Sequence, residues 1–298
     1  MKIIFSRKGF DSSPGGGEVP SPIFTSGNLC SLPIPEKKPT SHSRRYEELK
    51  MGNLALGTVV SDLTQGKIKM RDPVHVDPDL NFTTMPRPRS WKPVFGQEGA
   101  AEAHLQNLNV KEGDIFLFYG WFRQVEQSSG PFRYVKNALD LHVIFGWLQI
   151  ERRIAVNDRS KVPDWAQDHA HFRRTKNDSV DSIYISTNYL QLPGTHIILP
   201  GAGVFPRFHP VLCLTAPGMS RSKWRLPSWF YPAQKKSRLS YHTNLDRWEA
   251  RQEHVLLNTV GRGQEFVLDC QDYPEAIAWL SGIFSTCCFG HQQNLSAE

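Results

Sequence analysis

Two long apolar segments dominate the hydrophobic pattern of the chain, Asp114 to Arg123 and Leu141 to Ile150. Both are rich in aromatic and branched residues, and Ser128-Ser129-Gly130-Pro131 between them is typical of a turn. Neither segment alternates cleanly between apolar and polar residues, and a near-continuous apolar run is typical of a strand covered on both faces. The pattern therefore predicts two central strands of a sheet.

Two polar side chains, His142 and Gln149, interrupt the second of these strands. A buried strand does not tolerate a polar group without a partner, so each side chain must be hydrogen-bonded or face a cleft. Both are therefore candidate site residues. A satisfied core histidine and an edge glutamine are the purely structural alternative, which the pattern alone favours slightly.

The remaining pattern predicts shorter elements. Strands are predicted at Lys2–Phe5, Ser182–Thr187, His196–Leu199 and Val211–Leu214, with a turn at Gly201-Ala202-Gly203. Helices are predicted at Gln97–Leu108 and after a capping-box start at Asp272 to Glu275. We expect an α+β protein with a mixed, strongly curved, barrel-like sheet, peripheral helices and long loops. It forms one domain over residues 1–290, with a tail at 291–298.

Composition and charge narrow the setting of the protein. The 298 residues carry 35 Lys and Arg against 29 Asp and Glu, a net charge of +6 that suits an anionic partner. No apolar run of about 18 residues occurs, so no membrane span is expected. The five cysteines show no CxxC spacing, which predicts a reducing cytoplasm and no cysteine-bound zinc.

The N-terminal strand leads into a basic, glycine-rich loop. Arg7 and Lys8 are followed by Asp11, two serines and Gly15-Gly16-Gly17, which let the backbone approach a ligand closely. The segment lacks the GxxxxGK[ST] spacing of a Walker loop. An anion-binding loop and a basic surface loop fit it equally well.

Histidines provide a second candidate chemistry. His169 and His171 form an HxH pair, which on a strand would place both imidazoles on one face. His75, Asp77 and Asp79 lie in a proline-rich segment without regular structure. Spacing identifies no third ligand for the HxH pair, so the sequence predicts no metal site.

Cations and aromatic rings alternate in the segment from Ser220 to Arg251, which includes Arg221 and Trp224. This composition is typical of a surface for single-stranded nucleic acid or a flipped base, although core aromatics with a charged rim would look similar. Further along, Arg262 precedes Glu265, which begins an apolar strand.

Taken together, these motifs resemble the nucleotide modification associated domain 3 family. The resemblance is carried by SRKGFDSS, LPIP, FLFYGWFR, LHVIFGWLQIE, WAQDHAHF, RSKWRLPSWF and RGQEFVLD. It implies a place in the DNA base-modification systems of bacteria and their phages, without an assigned reaction. The candidate catalytic residues are Glu265, His142 and His169, and the candidate substrate-binding residues are Arg7, Lys8, Asp11, Gln149, His171, Arg221, Trp224 and Arg262.

Two functional classes follow from these candidates. The first is an enzyme, such as a transferase, acting on a nucleotide or a DNA base, in which Arg7 and Lys8 hold a phosphate and Glu265 acts as base or stabiliser. The order of Arg7, Ser186-Thr187 and Glu265 also resembles that of ADP-ribosyltransferases that act on DNA, although the QxE motif is absent.

The second class is a reader without turnover. The segment GDIFLFY and the strand that ends in GWLQIE are similar to the core of PUA-like modified-base binding domains. Trp121, Trp147 and Trp165 would form the cup for the flipped base. The expected partner in either class is a nucleotide or DNA, while the cofactor and the oligomeric state stay open.

Overall fold

The computed structural model describes residues 1–10, 18–167, 169–172, 180–232, 237–261 and 265–289. These residues form seventeen strands and three α-helices. The strands are β1 (Lys2–Arg7), β2 (Ser21–Ile23), β3 (Ile34–Pro35), β4 (Arg44–Arg45), β5 (Lys50–Met51), β6 (Leu54–Ala55), β7 (Pro73–His75), β8 (Val94–Gln97), β9 (Ile115–Glu126), β10 (Arg133–Tyr134), β11 (Leu141–Ala155), β12 (Ser182–Ser186), β13 (Ala202–Val204), β14 (Lys223–Pro227), β15 (Trp248–Ala250), β16 (His254–Asn258) and β17 (Glu265–Asp269). The helices are α1 (Leu56–Leu63), α2 (Gly99–Asn107) and α3 (Glu275–Phe284), and α3 continues into a π-helical turn at Ser285–Phe289.

The main sheet has nine strands, six of which follow the order β17-β1-β9-β11-β12-β8. The two long apolar strands β9 and β11 are antiparallel neighbours at its centre, which confirms the predicted central strands. β1 pairs in parallel with β9 and antiparallel with β17. The N-terminal strand and the last strand therefore lie side by side.

Alternation along β1 gives the main sheet two differently covered faces. On one face, the ring of Phe5 lies 6.0 Å from that of Trp224, in the small sheet β14-β16-β15. On the other, Ser6 and Lys8 point towards β8, and the Lys8 Nζ atom lies 4.7 Å from the centre of the Phe95 ring. We refer to these as the Phe5 face and the Ser6 face.

Strands β12 and β8 extend the sheet beyond a β-bulge in β11 between Ile150 and Arg152. β8 lies at the end of the strand order, where Val94 and Asp79 exchange two backbone hydrogen bonds of 2.9 Å. The ring of Phe95 lies 5.0 Å from that of Phe116 in β9. Side chains of β8 therefore contact the Ser6 face of the central strands.

The predicted α+β class with a strongly curved, barrel-like sheet is wrong. The described residues are mostly sheet with three short helices, and none of their sheets is closed or strongly curled. The central strands are covered on the Phe5 face by the small sheet β14-β16-β15 and by α3, and on the Ser6 face by side chains of β8. Because such covering produces the same continuous apolar pattern as a closed barrel, the sequence pattern does not distinguish the two.

Several shorter predictions also change. Gln97, the first residue of the predicted helix, is instead the last residue of strand β8, which pairs with β12, and α2 starts only at Gly99. His196–Leu199 forms no strand, and Pro210–Leu212 is a 3₁₀ turn. The predicted turn at 201–203 includes the first two residues of β13, which pairs with β11. Among the described residues, no helix is long and apolar enough to cross a membrane.

Candidate functional site

The first cluster of candidate residues surrounds Glu265, where the first and last strands of the chain pair with each other. Glu265 begins β17 and is the cross-strand partner of Ser6 in β1. Its Oε1 atom accepts hydrogen bonds from Ser6 Oγ (3.1 Å) and from Gln97 Nε2, and lies 3.2 Å from Lys8 Nζ. Glu265 is 1% exposed and Lys8 is 7% exposed. The structure thus brings Lys8 and Glu265, two predicted site residues, into one buried ion pair.

Burial dominates the electrostatics of this pair. It raises the pKa of Glu265, and the charge of Lys8 together with the hydrogen bonds from Ser6, Lys8 and Gln97 offsets only part of that rise. The Oε2 atom of Glu265 has no hydrogen-bond partner within the described part of the chain. A carboxyl group with a raised pKa keeps its proton to a higher pH than an ordinary glutamate does. Its Oε2 atom is the oxygen that is available to exchange a proton with a substrate.

The second cluster contains three histidines and one aspartate. His75 ends β7, Asp77 follows two residues later, and the HxH pair His169 and His171 lies beside them. The Oδ2 atom of Asp77 is 3.6 Å from His171 Nε2 and 3.9 Å from His75 Nε2, while Oδ1 is 3.5 Å from His169 Nε2. Two segments that are far apart in sequence therefore meet in one imidazole–carboxylate cluster.

The carboxylate of Asp77 is held in place by β8. Its Oδ1 atom accepts a 2.7 Å hydrogen bond from the backbone N–H of Gly96. Burial raises the pKa of Asp77, but the neighbouring imidazoles of His169 and His171 outweigh burial and hold the pKa well below its usual range. Asp77 is therefore ionised at neutral pH despite its burial.

Two cavities lie next to this cluster. The larger, of about 260 Å³, is lined by Asp77 and by Gly9 of the basic N-terminal loop, among others. The smaller, of about 140 Å³, is lined by His169 and by the indole rings of Trp91 and Trp165. The larger cavity has room for several water molecules or for part of an organic ligand.

An ion pair lies where the two cavities meet. Asp79 lines both of them and contacts the guanidinium of Arg87, which in turn lies 4.6 Å from the centre of the Trp91 ring. Burial raises the pKa of Asp79 to about 7, against the opposing charge of Arg87. This carboxyl group therefore titrates near neutral pH.

The third cluster surrounds His142 on the Phe5 face. The Nδ1 atom of His142 accepts a 3.0 Å hydrogen bond from the indole Nε1 of Trp224, so the proton of the neutral ring is on Nε2. Burial, followed by the charges of Arg7 and Arg221, lowers the pKa of His142 to about 3. His142 is therefore neutral at pH 7 and a weak base, which makes it poorly suited to general acid–base catalysis.

Two of the predicted substrate-binding residues have roles inside the fold. The amide of Gln149 bonds the backbone of Gln191 in both directions, with distances of 2.8 and 2.7 Å, and also donates to the carbonyl of Gly113. The ring of Trp224 is wholly buried between Phe5 and Tyr119. Both side chains stabilise the fold in this conformation.

The other candidates lie nearer the surface or beyond the described residues. The guanidinium of Arg221 lies 4.0 Å from the centre of the Trp121 ring, and both side chains are partly exposed. Trp147 packs instead against Phe205, and Trp165 packs near Phe172. The three tryptophans of the predicted cup are therefore in separate surroundings, and Asp11 and Arg262 lie outside the described residues.

The predicted residues consequently divide among three clusters. Arg7, His142, Arg221 and Trp224 lie towards the Phe5 face, whereas Lys8 and Glu265 lie on the Ser6 face. His169 and His171 lie beyond β8. Sequence reasoning missed Ser6 and Gln97, which bond Glu265, and it separated Asp77 from the HxH pair. One signal in the sequence could have joined them: His75–Asp77 and the HxH pair are both incomplete sets of metal ligands, and each supplies the ligands that the other lacks.

The fold and these clusters define a predominantly β protein with buried acid–base and imidazole–carboxylate groups. The family model of nucleotide modification associated domain 3 matches residues 2–269, so the chain belongs to that family. Membership implies a role in a nucleotide modification-associated system. No curated protein and no solved structure matches the chain.

Proposed function

We propose that this protein is an enzyme that modifies a nucleotide or a DNA base, with Glu265 as its acid–base group. The observation that carries the proposal is the buried Lys8–Glu265 pair, whose Oε2 atom has no partner among the described residues. Family membership supplies the nucleotide context. A raised pKa at a positioned carboxyl group is the property that proton transfer to or from a substrate requires.

Lys8 complements this role electrostatically. Its ammonium group lies 3.2 Å from the carboxylate of Glu265. Lys8 itself lies between Arg7 and Gly9, at the start of the basic N-terminal segment. A buried cation beside the acid stabilises negative charge that develops on a substrate, such as a phosphate or a base oxygen. The expected substrate is therefore anionic, which agrees with the net charge of +6.

The proposal predicts a product that depends on Glu265. Wild-type protein and the Glu265→Gln variant are expressed in a bacterial host, and nucleosides from its DNA and nucleotide pool are analysed by mass spectrometry. The wild type should yield a nucleoside of altered mass that Glu265→Gln does not yield. A product that carries ADP-ribose would identify the transfer predicted from Arg7, Ser186-Thr187 and Glu265.

Two controls accompany this experiment. Glu249→Gln alters another lysine-paired carboxylate, 3.5 Å from Lys223 and partly exposed, and should leave the product unchanged. The double variant Lys8→Met and Glu265→Gln tests whether an unpaired buried lysine causes the loss through unfolding. Absence of any new nucleoside with folded wild-type protein, or an undiminished product from Glu265→Gln, would contradict the proposal.

A reader of modified or flipped bases is the second candidate. It is favoured by the partly exposed contact between the Arg221 guanidinium and the Trp121 ring, because cations beside flat rings bind phosphates and bases. Binding of a labelled single-stranded oligonucleotide separates the two candidates. A reader that binds through this surface should lose about tenfold or more in affinity on Trp121→Ala without ever forming product, whereas an enzyme that depends on Glu265 forms a product that Glu265→Gln abolishes.

We also propose a cytoplasmic location. All five cysteines lie within the described residues, and all are free thiols. Free cysteines, several of them partly accessible, are typical of a reducing compartment.

A further inference from the structure

The cluster around Asp77 has ligands of the kind that hold a metal ion. His75, His169 and His171 are each less than 9% exposed, and the side chain of Asp77 is 6% exposed. Two imidazoles and a carboxylate that converge in a buried position suit a borderline divalent ion such as iron, manganese or zinc. Calcium and magnesium prefer oxygen ligands and fit this set less well.

The distances agree with a gap that a cation would fill. Separations of 3.6 and 3.9 Å from Asp77 Oδ2 to the Nε2 atoms of His171 and His75 are too long for hydrogen bonds. Ligand atoms at about 2.0–2.2 Å from a zinc ion lie about 3–3.5 Å from one another, so small adjustments bring these atoms into range. One ligand atom from each of His75, Asp77 and His171 lies within 4.8 Å of the others.

We propose that His75, His171 and Asp77 bind one divalent transition-metal ion, with His169 positioning the carboxylate through its Oδ1 atom. Three protein ligands leave coordination positions open, which is typical of a reactive metal centre and differs from a closed four-ligand structural site. The site lies apart from the Lys8–Glu265 pair, so it stands or fails independently of the function proposed above.

Surrounding groups orient the carboxylate of Asp77, and further carboxylates lie near His171. The Gly96 N–H and His169 both approach Oδ1 of Asp77, which leaves Oδ2 directed towards His75 and His171. Glu98 and Asp181 each bring a carboxylate oxygen within 4.8 Å of a His171 nitrogen.

Space for a substrate adjoins the site. Asp77 lines the cavity of about 260 Å³, and His169 lines that of about 140 Å³. Trp91 and Arg87 line the smaller cavity, where the Arg87 guanidinium packs over the Trp91 ring and pairs with Asp79, so a nucleotide-like ligand would rearrange these side chains to contact them. The metal centre therefore suits chemistry on a nucleotide-like ligand bound next to it.

Metal binding is tested on the full chain after removal of any affinity tag and dialysis against a chelator. Zn²⁺, Mn²⁺, Co²⁺ and, without oxygen, Fe²⁺ are titrated, with metal content measured by mass spectrometry and stability by thermal unfolding. The wild type should bind one equivalent of at least one of these ions and unfold at a higher temperature when loaded. The Co²⁺ absorption spectrum then reports the coordination geometry.

Single substitutions assign the ligands. His75→Ala and His171→Ala should each lower the affinity by more than about 100-fold, whereas His169→Gln should lower it by about 10–100-fold, as for other groups that orient a ligand. His196→Ala removes an exposed histidine elsewhere and should leave the affinity unchanged. Binding that survives both His75→Ala and His171→Ala would overturn the assignment.

A measurement on the unsubstituted protein covers the case in which a variant does not fold. Electron spin echo spectroscopy of the Mn²⁺-loaded wild type should detect coordinated imidazole nitrogen. Failure of the wild type to take up one equivalent of any of the four ions, or a spectrum without imidazole nitrogen, would refute the proposal.

Discussion

Two buried carboxyl groups lie close to β8, and the protein neutralises them in different ways. On the Ser6 face, Glu265 directs one oxygen at an ammonium, a hydroxyl and an amide within contact distance. Beside the backbone of Gly96, Asp77 faces imidazoles that are too distant for good hydrogen bonds. The first group is compensated within the chain, whereas the second has the spacing of ligands around an ion.

The difference also appears in the pKa values. Burial raises the pKa of Glu265 more than Lys8 lowers it, whereas His169 and His171 lower the pKa of Asp77 more than burial raises it. A carboxyl group with a raised pKa suits acid–base chemistry, and one with a lowered pKa suits a bound cation. The same functional group, buried at two places near β8, thus has two different electrostatic environments.

The largest expected effect comes from breaking the internal pair. Lys8→Met leaves Glu265 buried without its cation and should lower the free energy of unfolding by about 3–5 kcal/mol. Lys223→Met removes a partly exposed pair with Glu249 and should cost about 0–1 kcal/mol. Urea denaturation measures both, and the double variant Lys8→Met and Glu265→Gln should recover much of the loss. An equal loss in the free energy of unfolding for the two lysine variants would show that the Lys8–Glu265 pair behaves like a solvent-exposed ion pair.

A substitution beside the histidine cluster should have a smaller effect on stability than the loss of Lys8. In Gly96→Ala the new Cβ would lie 2.2 Å from His171 Cδ2, so the imidazole must move. We expect a loss of about 1–3 kcal/mol in the free energy of unfolding from overpacking, together with weaker metal binding. Gly130→Ala, which meets no atom within 4 Å, is the control. An unchanged metal affinity in Gly96→Ala would show that the position of His171 does not matter for binding.

The pH dependence of stability tests the protonation of Glu265. The pKa of Glu265 in the folded protein is raised above its ordinary value of 4.5. At a pH between 4.5 and this raised pKa, the folded protein therefore keeps a proton that the unfolded chain loses. The free energy of unfolding of the wild type, relative to Glu265→Gln, should therefore fall as pH rises above 4.5, by at most about 1.4 kcal/mol per pH unit. A relative stability that rises over this range would mean that Lys8 dominates the pair.

His142 should show the opposite slope. Its pKa falls from the ordinary 6.5 to about 3 in the folded protein, so below pH 6.5 only the unfolded chain takes up the proton. Relative to His142→Gln, the wild type should therefore lose stability as pH falls from 6.5 towards 3, again by at most about 1.4 kcal/mol per pH unit. Denaturant unfolding at a series of pH values measures this difference, and a flat curve would show that the ring is solvated.

The sequence predicted the parts of the fold that depend on local composition. Lys2–Phe5 and the two apolar segments form strands because their apolar runs suit burial on both faces, and the alternating segment Ser182–Thr187 forms a strand over Ser182–Ser186. His196–Leu199 has a similar composition but forms no strand. A short apolar run becomes a strand only where a neighbouring strand is available to pair with it, and the sequence does not show that neighbour.

The sequence marked individual candidate residues but not the way in which they group. The sequence marked Lys8, Glu265, His169 and His171 by type and context, and the structure buries all four. It did not show that Ser6 and Gln97 would bond Glu265, or that Asp77 would meet the HxH pair. Those contacts join segments that are far apart in the sequence, and no local periodicity encodes them.

By itself the sequence determined which residues are candidates for chemistry, which strands are central and to which family the chain belongs, because composition and motif are local properties. The tertiary structure alone decided that these residues form three clusters and not one pocket. The physical reason is the geometry of the sheet, since alternate side chains point to opposite faces and strand order sets which distant residues share a face. Register between β1 and β17 created the Glu265 pair, and the edge of β8 placed Asp77 among the histidines.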